Sequence, residues 1–240
     1  MRTNYIYSIL CFFMITLLLM AGCATHSKKN ELPTAYLNHM PQSILVLPPQ
    51  NESVVVEAPY IYLSTITEPI AEKGYYVYPV AVIDQLMKEN GVPNPEDMAR
   101  VPIEKIKEII GPDAVLYITI KDWGTKYLVI GSTTVVQCEA QLIDTDTKTI
   151  LWKGEHKVSY NPNQNSNSLV ELLVSALISQ IFNSVIDPSR DVARMTNTGL
   201  FSGSSKGFLF GKRHPGYEME QQKWQNTIKQ QADTVANEGE

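Results

Sequence analysis

The first chemistry in the chain sits at Met20-Ala21-Gly22-Cys23, where two small residues lead directly into a thiol at the end of an apolar run. A peptidase that cuts before cysteine needs small side chains there, because larger ones would not enter its cleft. The freed thiol is then a nucleophile that an acyltransferase can modify. The segment before it has the parts of a secretory signal: Arg2 as the lone charge, then Ile9–Ala21, broken only by Thr16. Leucine is commoner than Met20 at its position. The stretch from Tyr5 to Gly22 is shorter than the ~20 apolar residues a membrane span needs, so an uncleaved anchor is the weaker reading. Residues 1–22 are therefore expected to be a signal peptide, with Cys23 as the lipidation site.

The remaining candidates for chemistry are fewer. Asp144-Thr145-Asp146-Thr147 follows an apolar strand and resembles the first motif of haloacid-dehalogenase-type phosphatases, with nucleophile and proton-handling carboxylates two residues apart. The chain then turns straight into Ile150-Leu151-Trp152, and Asp/Thr clusters between strands are ordinary turns. As a calcium loop the same residues fail at Lys148. Of the three cysteines, Cys11 leaves with the signal and Cys23 is acylated. Cys138 is left alone on the apolar side of its strand, where a buried, inert thiol is expected. His26, His39, His156 and His214 lack metal-ligand spacing, and no phosphate-binding glycine loop or nucleophile elbow occurs. Catalytic residues, metal and cofactor are all expected to be none.

Composition bounds the partners. The formal net charge is −5, and one more negative once Arg2 leaves. No Lys/Arg cluster points to nucleic acid. With 44% hydrophobic residues the chain can build an apolar core without a disulfide.

Residues 23–42 read as a lipidated flexible leash containing Pro33 and Pro41, reaching about 65 Å when fully extended. Residues 43–217 read as one globular α/β domain. Its first strand is Ser43–Leu47, stopped by Pro48-Pro49, and a helix from Pro59 to Lys73 follows, with a kink expected at Pro69. Tyr75–Val80 is the second strand. A helix then carries Val82, Ile83, Leu86 and Met87, and a short one has Ile103, Ile106, Ile109 and Ile110 inward. Ala114–Ile120 is apolar enough for the sheet centre, and Trp123-Gly124 is expected to turn the chain. Lys126–Asp144 reads as one or two strands. Within it Val136, Cys138, Ala140 and Leu142 alternate with Gln137, Glu139 and Gln141, the period of a sheet with one wet face. Thr149–Lys157 returns as a hairpin.

Leu169–Ile186 is the most apolar helix expected after the signal, with Leu169, Leu172, Leu173, Leu177 and Ile181 along one side. It is read either as an internal core helix or as a helix shared with a partner. Residues 187–207 look irregular. The aromatic stretch Gly207–Tyr217 is expected to pack back on the domain, and residues 218–240 form a polar extension, either a solvated helix or disordered.

Several short motifs coincide with one family. They are Val46-Leu47-Pro48-Pro49 with Asn51 and Ser53, Leu63-Ser64-Thr65, and Gly74-Tyr75-Tyr76-Val77 with Pro79-Val80. To these add Asn90-Gly91, Gly111 with Asp113–Ile118, Leu151-Trp152 with Gly154, and Arg213-His214-Pro215 with Tyr217. Together with the cysteine motif they resemble a bacterial lipoprotein family of unassigned function, often encoded beside a CsgG-like pore lipoprotein. The resemblance covers about Cys23–Tyr217. It departs at Pro112, where alanine is expected, and in the Gln-rich extension. It implies a fold similar to the TolB N-terminal domain, a mixed sheet of five to six strands with helices packed on it, plus the apolar helix toward the C-terminus. It implies no enzymatic activity and leaves a homodimer open. Likeness to bacterial lipoproteins further implies three acyl chains on Cys23, each held by ~0.8 kcal/mol per buried CH₂. With Ala24 in place of an aspartate, it implies sorting to the outer membrane, facing the periplasm.

The function expected on this basis is a non-enzymatic accessory subunit of a CsgG-like lipoprotein export or envelope-assembly complex. The alternative is a regulator that crosses the periplasm to activate a peptidoglycan synthase.

Overall fold

A computed structural model describes residues 33–128, 131–161, 188–202 and 207–237. Cys23 and the expected helix Leu169–Ile186 lie outside the described residues. The strands are β1 (Ser43–Val46), β2 (Gln50–Asn51), β3 (Tyr76–Val77), β4 (Ala114–Leu128), β5 (Gly131–Asp144) and β6 (Ile150–Tyr160). The described helices are α1 (Thr34–Asn38), α2 (Ala58–Glu72), α3 (Val80–Glu89), α4 (Pro95–Met98), α5 (Ile103–Ile109), α6 (Ser189–Phe201) and α7 (Tyr217–Asn237).

The sheet is mixed, in the order β3-β1-β4-β5-β6, with β2 continuing beside β4. β1 runs parallel to β3 and β4, while β4, β5 and β6 form an antiparallel meander. The expected mixed sheet with helices on it is what forms.

Both faces carry helices, unequally. On one, α2 and α6 cover Ile44, Val46, Leu116, Ile118, Ile120, Val136, Cys138, Ala140 and Leu142 in a single core. On the other, α3, α4 and α5 cover only Leu45, Leu47 and Val115 through Ile83, Met87, Met98 and Ile106. The start of β4 is therefore sandwiched, which is why Ala114–Ile120 is almost continuously apolar. Among the described residues the stretch 137–142 of β5 has one wet face, and the alternation shows it: Glu139 and Gln141 are exposed, Cys138 and Leu142 buried.

Several expectations change. Trp123-Gly124 is not a turn; β4 continues to Leu128 and pairs with β5 throughout. The alternation breaks there because a bulge at Lys121 lies between the pairs Ile120↔Cys138 and Asp122↔Gln137. The second strand shrinks to Tyr76–Val77, because Pro79 is already the N-cap of α3. Ile109 is exposed rather than inward, since α5 is a single short helix that buries Ile106 alone. Pro69 sits inside α2 without ending it.

Folded structure starts earlier than residue 43, within the stretch read as leash. From Thr34 the chain is helical, and Tyr36 is fully buried against Phe208, with its hydroxyl 2.9 Å from that of Tyr75. Residues 187–207 are not irregular throughout either. α6 buries Val192, Ala193, Thr196, Asn197, Leu200 and Phe201, and runs back along β6: Phe201 meets Trp152, while the Thr196 hydroxyl reaches Val136 O. Its polar residues hid it, because two of them are core residues whose groups are hydrogen-bonded: Thr196 Oγ1 donates to Val192 O, and Asn197 Nδ2 to Thr65 Oγ1.

Candidate functional site

Asp144 ends β5, and the chain must reverse there within the four residues 145–148. Its Oδ1 accepts the Asp146 N–H at 3.1 Å, the Thr147 N–H at 2.7 Å and the Thr147 hydroxyl at 2.8 Å. Lys148 completes the reversal with φ 61°, and its N–H donates to Asp144 O. The carboxylate that a phosphatase would use as nucleophile thus holds a turn, with one oxygen accepting three donors. Asp146 faces Lys107 at 3.2 Å on the surface.

Cys138 lies at the centre of β5, fully buried, and the Tyr62 hydroxyl donates to its Sγ at 3.1 Å. Burial, together with this neighbour, pushes the Tyr62 hydroxyl well above its ordinary pKa. Neither group has access to solvent, so the thiol is buried as expected. His39 follows α1, His156 lies on β6 and His214 lies in the loop before α7. Among the described residues no three His, Cys, Asp or Glu side chains gather as a metal site.

Two polar clusters with structural roles went unrecognised in the sequence. The first is Asp113, just before β4. Its Oδ2 accepts the Gln42 and Ser43 N–H groups, each at 2.9 Å, and the Ser43 hydroxyl at 3.0 Å. Burial alone would raise its pKa; the Gln42 and Ser43 hydrogen bonds outweigh that and hold the carboxyl below the usual range. Thr145 ties the same corner to β5 by donating its N–H to Asp113 O.

The second cluster is the return of residues 207–220 onto the end of α2. Gly74, at φ 88°, lets the chain leave α2, and Gly211 N–H donates to Lys73 O at 2.8 Å. The Tyr75 hydroxyl donates to Leu209 O. His214 stacks on Phe210 at 3.6 Å between ring centroids, and the Lys73 ammonium lies 4.5 Å from the Phe210 ring centre. Glu220, in the first turn of α7, accepts the Phe210 N–H at 2.6 Å. Its carboxyl pKa is raised because burial outweighs that bond and the nearby Lys73. Gly207–Tyr217 therefore packs back as expected, and the polar extension begins as an anchored helix. A cleft of about 220 Å³ lies beside this return, lined by Pro69, Lys73, Phe201, Phe210 and His214 among others.

These clusters fasten the chain to itself, and nothing in their geometry sets a nucleophile beside a base. The residues with the strongest sequence claim to function, Cys23 and the row Leu169, Leu172, Leu173, Leu177 and Ile181, lie outside the described residues. The described ends of that second segment can still be placed. The chain leaves at Asn161 just after Tyr160, which pairs with Thr134, and Thr134 bonds Thr125 at 2.8 Å, two residues from the exposed Tyr127. It re-enters at α6, whose course along β6 puts Ser189 at that same end of the sheet. Among the described residues no helix is long and apolar enough to cross a membrane.

Comparison with known proteins gives a consistent result. The family described as "Putative lipoprotein GNA1162-like" matches residues 33–213. A lipoprotein of Neisseria meningitidis serogroup B, NMB1124/NMB1162, is 36% identical over 201 residues, covering 83% of this chain and 94% of that protein. The crystal structure of lipoprotein GNA1162 from Neisseria meningitidis superposes with a TM-score of 0.50 at 42% identity, covering 60% of this chain and all of that one. The matched span takes in the Asp113 corner, the Asp144 turn and the return as far as Arg213, and it stops before α7; over that span the chain belongs to the GNA1162-like lipoprotein family.

Proposed function

We propose that this protein is a lipoprotein of the outer membrane, acylated at Cys23 and facing the periplasm. In this reading it serves as a non-enzymatic accessory subunit of a CsgG-like lipoprotein export or envelope-assembly complex. Membership of a lipoprotein family supports membrane anchoring. The observation that carries the rest is the length of the tether. Because α1 begins at Thr34 and Tyr36 is buried in the core, only residues 24–33 remain between the acylated thiol and the domain. Fully extended they reach about 35 Å, roughly half of what the leash through residue 42 would give. A domain so held works close to the bilayer, where another envelope lipoprotein would be met. The same shortening counts against a regulator that must cross the periplasm to activate a peptidoglycan synthase.

The partner contact we propose is the segment bearing Leu169, Leu172, Leu173, Leu177 and Ile181. Its two described ends lie at one end of the sheet, next to the exposed Tyr127. A second copy of the chain is a further partner in this reading. Affinity capture from gently solubilised outer membranes should recover a CsgG-like lipoprotein, and Leu173→Glu with Leu177→Glu should lose it. Recovery of the protein alone, or a mature N-terminus with an unmodified thiol by mass spectrometry, would overturn the reading. Lengthening the tether by ten Gly/Ser residues separates the two functional alternatives: a subunit of a membrane-side complex should lose function or tolerate it poorly, and a periplasm-crossing regulator should gain reach.

A further inference from the structure

Exposed apolar side chains are ordinary when scattered singly over a surface, but three of them gather around the half-buried Tyr78 at the β3 edge of the sheet. Tyr76 is 45% exposed, and its ring meets that of Tyr78 edge to face with centroids 5.2 Å apart. The Tyr78 hydroxyl donates to Ile110 O at 3.4 Å, and the preceding Ile109, at the end of α5, is 70% exposed. Val82, in the first turn of α3, is 61% exposed, and its N–H donates to Pro79 O. The carboxylates of α5 are paired: Glu108 with Lys105 and Glu104 with Lys148. This edge is also where the tether joins the domain. Tyr76 N–H donates to Gln42 O at 2.9 Å, and the hydroxyl of Tyr75, its neighbour, bonds that of Tyr36 in α1.

We propose that the patch of Tyr76, Tyr78, Val82 and Ile109 rests on the phospholipid leaflet that holds the acyl chains of Cys23, with the far end of β4 and β5 turned away from the membrane. This rests on the acylation proposed above and names the surface that the tether brings to the lipid. The length of the tether decides between this end and the other. Val54, Val56 and Tyr127 are exposed too, but they lie at the far end of the sheet. Val55 stands against Gly124, and Tyr127 is three residues further along β4, so these places lie about 30 and 40 Å beyond Ala114 at the usual strand rise. With that end on the bilayer, the root of the tether would stand about as far above it, and residues 24–33 reach about 35 Å only when fully extended. With Tyr76 on the bilayer the same tether is slack. The side chains suit the two depths of a leaflet. Tyrosine brings an apolar ring and a hydroxyl for the headgroup layer, and Val82 and Ile109 carry nothing that needs water.

The test uses the full-length acylated protein in vesicles of phosphatidylethanolamine and phosphatidylglycerol, with a nitroxide on a fraction of the lipid headgroups. Val82→Cys, Ile109→Cys, Val54→Cys and Tyr127→Cys, one at a time, carry an environment-sensitive fluorophore; Cys138 is buried and Cys23 acylated, so neither competes for it. Labels at 82 and 109 should shift to the blue and lose most of their emission to the nitroxide, and labels at 54 and 127 should do neither. Tyr76→Asp with Val82→Asp, both at exposed side chains, should abolish the quenching at 109 while the protein still floats with the vesicles. Quenching at all four positions, or at 54 and 127 alone, would refute this seating. So would quenching at 109 that survives the two aspartates, because the tail by itself would then bring that position to the lipid. Labels that turn blue without being quenched would mean that the tether, a second copy or another protein covers the patch, which also refutes it. Vesicles that float without the protein would refute the acylation and this seating together. Protein that floats with every label unquenched would refute the seating and leave the acylation standing.

Discussion

Gly74→Ala tests the junction that fastens the C-terminal return to α2. A β-carbon at Gly74 would lie 2.4 Å from the His214 backbone nitrogen, 2.9 Å from the His214 Cβ and 3.0 Å from Gly211 O. Two of the three are backbone atoms, so no side-chain rotation relieves the clash. The φ of 88° alone costs a residue with a Cβ about 1–2 kcal/mol. Shifting the 211–214 turn aside adds the ~1–3 kcal/mol typical of overpacking. It also threatens the 2.8 Å bond from Gly211 N–H to Lys73 O, worth ~1 kcal/mol. The expected total is about 3–6 kcal/mol, or on the order of 10 °C in Tm for a domain of this size. Gly91→Ala is the matched control. Its φ of 80° is nearly the same, yet nothing lies within 4 Å of the added carbon. It should cost only the conformational part, about 1–2 kcal/mol. Urea unfolding of both variants, read by tryptophan fluorescence, separates crowding from backbone conformation. If the two unfold at the same midpoint, the close approach of residues 211–214 to Gly74 is not a feature of the protein in solution.

Asp113→Asn should destabilise by about 1–2 kcal/mol at neutral pH. Because the folded-state pKa is depressed, the carboxylate contributes stability above its unfolded value near 4 and loses it as pH falls through the folded one. The gap between wild type and D113N in unfolding free energy should therefore close below about pH 4, and a gap constant from pH 7 to 3 would contradict the assignment. Asp144→Ala should cost about 1–2 kcal/mol in urea titrations by removing the acceptor of three donors, and Asp144→Asn markedly less, because an amide oxygen can still accept. Equal losses would mean that the charge, not the turn, matters. Cys138 should react with a thiol reagent only at the rate of global unfolding, and Tyr62→Phe should cost about 1 kcal/mol without exposing it. Fast labelling of the native protein would disprove burial.

How much of this was legible in the sequence depends on what each residue pairs with. Strands with one wet face announce themselves by alternation, and Val136–Leu142 did. Ala114–Ile120 showed its double coverage as an unbroken apolar run. The Asp144 turn was readable because its partners are two and three residues away. Asp113 was not, because its donors, Gln42 and Ser43, lie some seventy positions back in the chain. α6 was hidden for a related reason: Thr196 and Asn197 look like surface residues until Val192 O and Thr65 are placed beside them. The boundary of the tether failed on Tyr36 alone, since a single buried aromatic has no period to detect. The return at Gly207–Tyr217 was anticipated from its aromatic content, while its anchor at Glu220 depends on a contact with Phe210 that no spacing rule foretells.

The bulge at Lys121 changes which half of β4 looks inward. Before it, the even-numbered residues Leu116, Ile118 and Ile120 point to the large core; after it, the odd-numbered Trp123 does, opposite Val136. One supernumerary residue thus acts as a phase shifter between two segments of strand that would otherwise be incompatible. Pairing the strand straight through, with Lys121 kept and set opposite Gln137, would instead turn the indole of Trp123 toward water and bring Asp122 into its place beside Tyr62. A chain lacking Lys121 would keep Trp123 opposite Val136 in an unbroken ladder, so the bulge is how the hairpin absorbs one extra residue without turning its far half inside out.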